Sequence, residues 1–166
     1  MIVRLGDVLD YEQPTKYIVN NTNYNDDYKT PVLTAGKTFI LGYTNETNNI
    51  FDECPVIIFD DFTTDIKYVN FPFKVKSSAM KILKAKTGVN IRYMYYLIKT
   101  IKVDSRLHKR YWISKFADIQ VNIPSLDEQN HMVYLLDLVD EIKKICESCI
   151  EKMDLVIKSR FNKVSE

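Results

Sequence analysis

The feature that most constrains this chain is a helical segment at its carboxyl end that nothing in the sequence interrupts. From Ser125 to about Lys163 there is neither glycine nor proline, the residues that most often end or kink a helix. Ser125 and Glu128 have the spacing of a capping box, which predicts a helix start at this point. At about 1.5 Å per residue, this helix would extend roughly 55–60 Å, well beyond the diameter of a small domain.

Apolar residues recur along this segment with alternating steps of four and three, which is the spacing of a coiled-coil seam. The predicted seam consists of Leu135, Val139, Ile142, Cys146, Cys149, Met153 and Val156. In the first half of the segment, a wider apolar stripe is also compatible with packing against the chain's own domain. In the second half the stripe narrows to the seam, so we expect a partner helix there and dimerisation through the seam residues.

The residues before this segment alternate short β-like runs with turn-rich stretches, which is typical of an α+β domain with a mixed sheet. Residues 55–59 form a continuous apolar run and predict a strand buried on both faces. A short helix is expected at 78–83 and a longer one at 91–101. Further strand-like runs lie at 17–19, 31–33, 38–41, 66–69, 73–75, 112–113 and 119–123. With Pro124 as the boundary, we predict a globular domain over 1–124 and a coiled-coil helix over 125–166.

The net charge of +1 conceals an uneven distribution. Residues 62–115 hold 13 Lys or Arg against 2 Asp or Glu, a net of +11, whereas the flanking segments carry net charges of −6 and −4. A basic block of this kind suits a polyanion, because Lys and Arg that neutralise phosphates release condensed counterions. A solvated lysine face is the alternative, but for the block as a whole we favour a nucleic acid.

Several other classes of protein find no support in the sequence. No run approaches the 18 or more apolar residues of a membrane span, and the first residues lack the pattern of a signal peptide. The three cysteines have no zinc spacing and favour a reduced, cytoplasmic protein. The Gly-Lys-Thr at 36–38 lacks the upstream glycine of a phosphate loop, and Asp60, Asp61 and Asp65 lack the Glu-x-Lys element of a metal-dependent nuclease. We therefore expect no catalytic residue, metal or cofactor.

Five segments, in this order, resemble the target-recognition domain of type I restriction–modification specificity subunits. They are the opening Val3-Arg4-Leu5-Gly6-Asp7-Val8, residues 30–44, the strand–loop–strand region 56–75, the helix Tyr93-Met94-Tyr95-Tyr96-Leu97-Ile98, and residues 113–129. The similarity covers essentially the whole chain, and the last segment, followed by a long helix, is its most specific part. A complete subunit of this family has two recognition domains and two long helices, so the chain resembles half of one.

The resemblance implies a non-catalytic protein that binds one half of a bipartite double-stranded DNA target and directs methyltransferase (modification) subunits to it. A restriction subunit is a further implied partner, and no membrane is involved. In this family two half-subunits can pair through antiparallel helices, which would cover the seam and give a homodimer with a palindromic split target. The alternative is an assembly or anti-restriction protein that acts through its helix. A DNA mimic should be strongly acidic, which the basic block opposes.

Two segments are the leading candidates for DNA contact. The basic loop 106–112 can bind phosphates or read guanine, and 61–67 offers short polar side chains to base edges; Trp112 is expected in the core. Residues near Gly36 form a third group. The candidate DNA contacts are Thr34, Lys37, Tyr43, Asp61, Thr63, Thr64, Lys67, Arg106, His108, Lys109, Arg110 and Tyr111. Phosphate attraction or solubility is the expected role of Lys74, Lys76, Lys81, Lys84 and Lys86, and strand alternation points Lys74 outward.

Overall fold

The computed structural model describes residues 1–34, 36, 38–102 and 111–162, and the elements within these ranges are numbered in chain order. The first half contains β1 (Ile2–Arg4), α1 (Leu5–Val8), β2 (Leu9–Glu12), a 3-10 helix (Pro14–Tyr17), β3 (Thr30–Leu33), β4 (Ile40–Thr44) and β5 (Val56–Asp60). The second half contains β6 (Ile66–Val69), β7 (Lys74–Val75), β8 (Met80–Ala85), α2 (Ile91–Thr100), α3 (Tyr111–Ser114), a 3-10 helix (Phe116–Asp118), β9 (Gln120–Asn122) and α4 (Leu126–Asn162). The fold is α+β, as the sequence predicts.

A four-stranded antiparallel sheet, in the order β2–β8–β5–β6, lies between two apolar clusters. Ile57 and Phe59 of β5 pack into one cluster, together with residues of α2. Val56 and Ile58 pack into the other, which is shared with a second sheet. Because successive side chains of a strand point to opposite faces, a strand between two apolar layers needs an unbroken apolar run. The prediction of a strand buried on both faces at 55–59 is confirmed.

The second sheet, ordered β4–β3–β7, makes the fold mixed, because β3 is antiparallel to β4 and parallel to β7. Leu33 and Val75 from this sheet join Ile82 of β8 in the second apolar cluster. The pairing of β3 with β7 continues past the strand ends, where the backbone N–H of Lys76 donates to the carbonyl of Leu33 at 2.9 Å. The chain therefore leaves β3 and β7 at the same end of the domain.

Strand β8 runs from that end to the opposite one, where the chain turns into α2 and where α4 begins. β1 and β9 pair there as a two-stranded sheet. Gln129 of α4 is only 1% exposed. Its Oε1 accepts the backbone N–H of Asn90 at 2.9 Å, and its Nε2 donates to the carbonyl of Pro124 at 3.0 Å. A buried amide with partners at both ends thus holds the first turn of α4 against the turn that precedes α2.

The helix α4 is a single element of 37 residues, roughly 55 Å long at about 1.5 Å per residue. It starts with the predicted capping box: the backbone N–H of Ser125 donates to a carboxylate oxygen of Glu128 at 2.9 Å, and the N–H of Glu128 donates to Ser125 Oγ at 3.4 Å. From Glu141 to Phe161 every residue is exposed except Ser148, which is half-buried. The long helix is confirmed, and the seven residues of the predicted seam are exposed in the single chain.

Three local predictions are wrong. Residues 78–83 do not form a helix, because Met80–Ala85 is a strand that pairs with β2 on one edge and β5 on the other, and this pairing outweighs local preference. Residues 112–113 lie in the short helix α3 rather than in a strand. At 17–19, Tyr17 ends a 3-10 helix, and Ile18 forms an isolated bridge to Val75 instead of a strand.

Candidate nucleic-acid interface

Several turns emerge at one end of the domain, termed here the turn end. β3 and β7 both finish there, and β5 finishes beside the start of β8, with Asp60 opposite Met80. The turn end therefore gathers the residues that follow β3, the β5–β6 turn at 61–65, and the β7–β8 connection at 76–79. Gln13, which follows β2, joins them by donating from Nε2 to the carbonyl of Ser78 at 3.2 Å. Turns displayed on a rigid sheet are a common location for binding residues.

The β5–β6 turn is built around the carboxylate of Asp60. Its Oδ1 accepts the backbone N–H groups of Phe62 and Thr63 at 2.8 and 3.1 Å, and its carbonyl accepts the N–H of Thr64 at 3.0 Å. Thr64 has a φ of 64°, in the left-handed region that β-branched residues rarely adopt. Phe62 and Thr63 are exposed, the former to 45%. The turn therefore presents a hydroxyl group and an aromatic ring to solvent.

The start of α3 is anchored to the same turn. Asp61 is only 3% exposed; its carbonyl accepts the backbone N–H of Tyr111 at 3.0 Å, and its Oδ1 accepts that of Trp112 at 3.0 Å. Both aromatic residues are buried, as expected for Trp112. The basic stretch of the sequence ends immediately before Tyr111. These two hydrogen bonds therefore fix the point at which that stretch joins the described domain, beside residues 61–65.

Part of the predicted contact set meets at the turn end. Thr63 is exposed there, while Thr34 and Thr64 are half-buried. Lys67 of β6 lies opposite Ile58, farther along the sheet from the turn, and is half-buried. Short hydroxyl side chains, one directly after β3 and two in the β5–β6 turn, thus lie at the same end of the domain.

Other predicted contacts lie elsewhere in the domain or are buried. Tyr43 pairs with Pro31, where β3 begins rather than ends, and lines a groove with Phe71. Asp61 and Tyr111 are buried. The predicted residues Lys37, Arg106, His108, Lys109 and Arg110 lie outside the residues that the structure describes.

The expectation that the lysines of the basic block face solvent needs correction. Lys74 is buried: its Nζ donates to the carbonyl of Asn48 at 2.8 Å and lies 3.2 Å from a carboxylate oxygen of Glu46. Lys81 is buried as well, with its Nζ 3.6 Å from Oδ2 of Asp61. A charge removed from water needs a partner, and both ammonium groups find theirs within the chain.

Lys84 and Lys86 also have acidic partners, Glu12 and Glu53 for the first and Asp10 for the second. Burial by itself would lower the pKa of Lys84, but hydrogen bonds with both glutamates raise it. Burial likewise opposes ionisation of Glu12, but hydrogen bonds from Lys16, Lys84 and Tyr17 lower its pKa to about 2. Much of the basic block therefore balances acidic residues of the same chain, whereas Lys76 is exposed at the turn end.

Sequence reasoning missed three side chains at the turn end. Gln13, Ser77 and Ser78 are exposed and, with Phe62 and Lys81, line a depression of about 240 Å³. The helix predicted at 78–83 included Ser78 and began directly after Ser77, although adjacent serines before an apolar run are a turn signal. Together these residues add hydroxyl and amide groups, which are suited to phosphates and base edges.

At the opposite end, α2 fastens the domain to α4 through four side chains, termed here the α2–α4 joint: Arg92, Tyr96, Asp137 and Asp140. Nε of Arg92 donates to Oδ1 of Asp137 at 2.8 Å, and the guanidinium lies 4.3 Å from the ring centre of Tyr68. The Tyr96 hydroxyl is within hydrogen-bonding distance of both aspartates. Burial, reinforced by these carboxylates, raises the pKa of Tyr96. The joint ties the direction of α4 to the body of the domain.

The described ranges contain no group of three or more His, Cys, Asp or Glu able to hold a metal ion. No helix in the same part of the chain is long and apolar enough to cross a membrane.

Similarity to known proteins identifies the class of protein to which this chain belongs. The family model of the type I restriction modification DNA specificity domain matches residues 1–152, and the chain belongs to this family. A relative, the type I restriction enzyme EcoR124I/EcoR124II specificity subunit of Escherichia coli, is 48% identical over 146 residues. The alignment covers 80% of this chain but 36% of the relative, so the chain spans little more than a third of the relative's length. The resemblance seen in the sequence motifs is confirmed.

Solved structures show the same fold at low sequence identity. The S subunit of a type I restriction-modification system from M. genitalium has a TM-score of 0.58 at 21% identity, covering 89% of this chain and 42% of that one. The HsdS subunit from Thermoanaerobacter tengcongensis has a TM-score of 0.58 at 14% identity, with 85% and 37% covered. A chain from a structural study of type I R-M complex assembly reaches 0.63 at 15% identity, with 85% and 38% covered.

Proposed function

We propose that this chain recognises one half of a split double-stranded DNA target, catalyses no reaction itself, and directs methyltransferase subunits to that target in the cytoplasm. The observation that carries the proposal is the gathering of exposed turns at one end of a chain that belongs to the DNA specificity family. Hydroxyl and amide groups of the turns suit base edges and phosphates. The basic stretch that ends at Tyr111 would bring its Arg and Lys residues beside them.

Within this proposal the contacts fall into two kinds. Thr34, Thr63 and Thr64 are assigned to base edges or nearby phosphates, since their hydroxyl groups both donate and accept. Arg106, Lys109 and Arg110 are assigned to phosphates and guanine, with Lys37, Lys67, Lys76 and His108 adding phosphate contacts. Tyr43 is kept as a peripheral candidate. Asp61 and Tyr111, being buried, support the contacting segments instead of touching DNA.

We further propose that two copies pair through α4 in antiparallel orientation. The exposed seam gives an apolar surface for this pairing. The charge along the helix favours the antiparallel arrangement, because residues 126–142 carry five acidic and no Lys or Arg side chains, whereas 143–162 carry five Lys or Arg and three acidic ones. Antiparallel helices place the acidic half of each copy against the basic half of the other. Such a two-fold pair would read a palindromic split target and offer one platform to modification and restriction subunits.

DNA recognition is tested by selection from a duplex pool in which two random segments flank spacers of several lengths. Anisotropy titrations at fixed salt then compare the selected target with an unrelated duplex. We expect a preference of about 10³ or more, as is usual for specific DNA binders. The Arg106→Ala/Arg110→Ala variant should lose roughly tenfold or more in specific affinity. The matched control, Lys144→Ala/Lys158→Ala on the face of α4 opposite the seam, should stay within about twofold, since the proposal places neither DNA nor the partner helix there. Failure to enrich any sequence contradicts the proposal.

Pairing is tested by light scattering on the purified chain. We expect a dimer that dissociates in the Cys146→Lys/Met153→Lys variant, because two ammonium groups would have to be buried in the seam. The control Ser148→Lys/Leu155→Lys adds the same charge on the outer side of the helix and should leave the dimer intact. A monomeric wild-type chain would rule out self-pairing without affecting the assignment of the turn end.

A further inference from the structure

One buried ion pair at the turn end is connected to the segments around it. Lys81 and Asp61 face each other with Nζ and Oδ2 at 3.6 Å, and their side chains are 3% and 5% exposed. Lys81 also donates to Oε1 of Gln13, and its ammonium lies 5.2 Å from the ring centre of Tyr11. The pair thus forms part of a polar network beneath an exposed surface.

The network reaches three segments that are far apart in sequence. Asp61 begins the β5–β6 turn and accepts the backbone N–H groups of Tyr111 and Trp112, at the end of the basic stretch. Gln13, held by Lys81, donates to the carbonyl of Ser78 in the β7–β8 connection. Both turns and the start of α3 are therefore linked through one lysine, one aspartate and one glutamine.

A buried ion pair seldom adds more stability than apolar groups of the same volume, because desolvation offsets the attraction. The pair instead restricts the relative positions of the segments that carry the two charges, since each charge accepts few alternative arrangements of its partners once water is excluded. Apolar side chains here would fill the space but would leave the turns without a fixed relative position.

We propose that Lys81, Asp61 and Gln13 are positioning residues for DNA reading, which hold the turns in the one arrangement that lets their base contacts form together. This inference rests on the proposed function. Specific binding needs all contacts at once, whereas attraction to phosphates tolerates looser geometry. Disturbing the network should therefore lower the specificity ratio, the affinity for the selected target divided by that for unrelated duplex, more than it lowers non-specific affinity.

The test uses the full chain with the double substitution Lys81→Met/Asp61→Asn. Methionine and asparagine replace the ion pair with neutral groups of similar size, and the new amide oxygen can still accept the N–H of Trp112. The matched control is Lys84→Met, on the same strand, whose acidic partners Glu12 and Glu53 belong to none of the linked turns. The specificity ratio is measured at one salt concentration, and amide hydrogen exchange is measured without DNA.

For the double variant we expect a specificity ratio about tenfold lower, non-specific affinity within about twofold, and faster exchange at 61–65 and 76–79. The control should match the wild type in all three. An unchanged ratio together with unchanged exchange would overturn the inference. Equal losses of specific and non-specific affinity would also overturn it, because they would make Lys81 a phosphate contact.

A second variant, Gln13→Ala, keeps the inference testable if the double variant does not fold. Gln13 is exposed, and its loss leaves the ion pair in place. We expect a ratio about threefold lower, with faster exchange around Ser78 in the DNA-free chain, which loss of a direct DNA contact would not cause. Wild-type ratio and exchange in this variant would overturn the inference even if the double variant failed to fold. If the wild-type chain selected no DNA, the proposed function would fail, and exchange alone would still decide whether the network positions the turns.

Discussion

The two ends of the domain use polar side chains in different ways. At the end where α2 and α4 begin, termed here the helix end, Gln129, Arg92 and Asp137 bond to other residues of the chain. These bonds fix where α4 leaves the domain. At the turn end, buried polar groups hold the backbone while Thr63 and Ser77 remain exposed. Polar side chains that form hydrogen bonds within the chain stabilise the fold, whereas exposed polar side chains can bind a partner. Charge counted along the sequence does not separate the two kinds.

Gln129→Leu should have the largest effect on stability, because it removes both hydrogen bonds of a buried amide. The N–H of Asn90 and the carbonyl of Pro124 would lose their partners at a part-buried site. We expect a loss of about 2–3 kcal/mol in the free energy of unfolding, measured by chemical denaturation. The neighbouring exposed residue provides the control, since Asn130→Leu removes one hydrogen bond at the surface and should cost less than about 1 kcal/mol. Similar losses in the two variants would contradict the description of the helix end.

The α2–α4 joint should show a smaller, graded effect. Asp137 accepts from both Arg92 and Tyr96, whereas Asp140 interacts with Tyr96. We expect Asp137→Asn to lower the free energy of unfolding by about 1 kcal/mol and Asp140→Asn to lower it by about half as much. Both effects are small because the two carboxylates are partly exposed and screened by water. Denaturation of the two variants under the same conditions checks the order, and a larger loss for Asp140→Asn would show that the ion pair with Arg92 is not the main link.

The sequence could predict elements whose pattern is local and strong. An unbroken apolar run identifies β5, and a capping box followed by a seam identifies α4. It could not predict β8, because residues 78–83 are compatible with a helix until their partners in β2 and β5 are known. Nor could it predict the role of Asp61, which depends on a hydrogen bond to Trp112, 51 positions away. Lys74 and Lys81 look like surface charges because nothing local reveals the carbonyl and carboxylate groups that surround them.

The pH dependence of stability offers a further test close to the turn end, through Glu12. Its pKa falls from an ordinary 4.5 to about 2 in the folded chain, so the folded state favours the ionised carboxylate. The resulting stabilisation is present above pH 4.5 and is lost as pH falls toward 2. Glu12→Gln should therefore lower stability near neutral pH, by up to about 1 kcal/mol, and should approach the wild type near pH 2.

Thermal unfolding across this pH range provides the measurement for Glu12. The control, Glu53→Gln, removes a more exposed carboxylate from the same lysine, Lys84, and should change the stability at neutral pH by less. A loss in Glu12→Gln that stayed constant down to pH 2 would mean that the contribution is not electrostatic.

The smallest effect on stability is expected for Thr63→Val, and this variant probes the difference between the two ends most directly. Valine has the shape of threonine without the hydroxyl, and the hydroxyl of Thr63 accepts one exposed backbone N–H, from Asp65, at 3.3 Å. The free energy of unfolding should therefore change by no more than about 0.5 kcal/mol. If the hydroxyl meets a base edge or a phosphate, affinity for the selected target should still fall by about five- to tenfold. A variant with wild-type affinity would remove Thr63 from the contact set, and a variant with much reduced stability would place it in the frame of the domain.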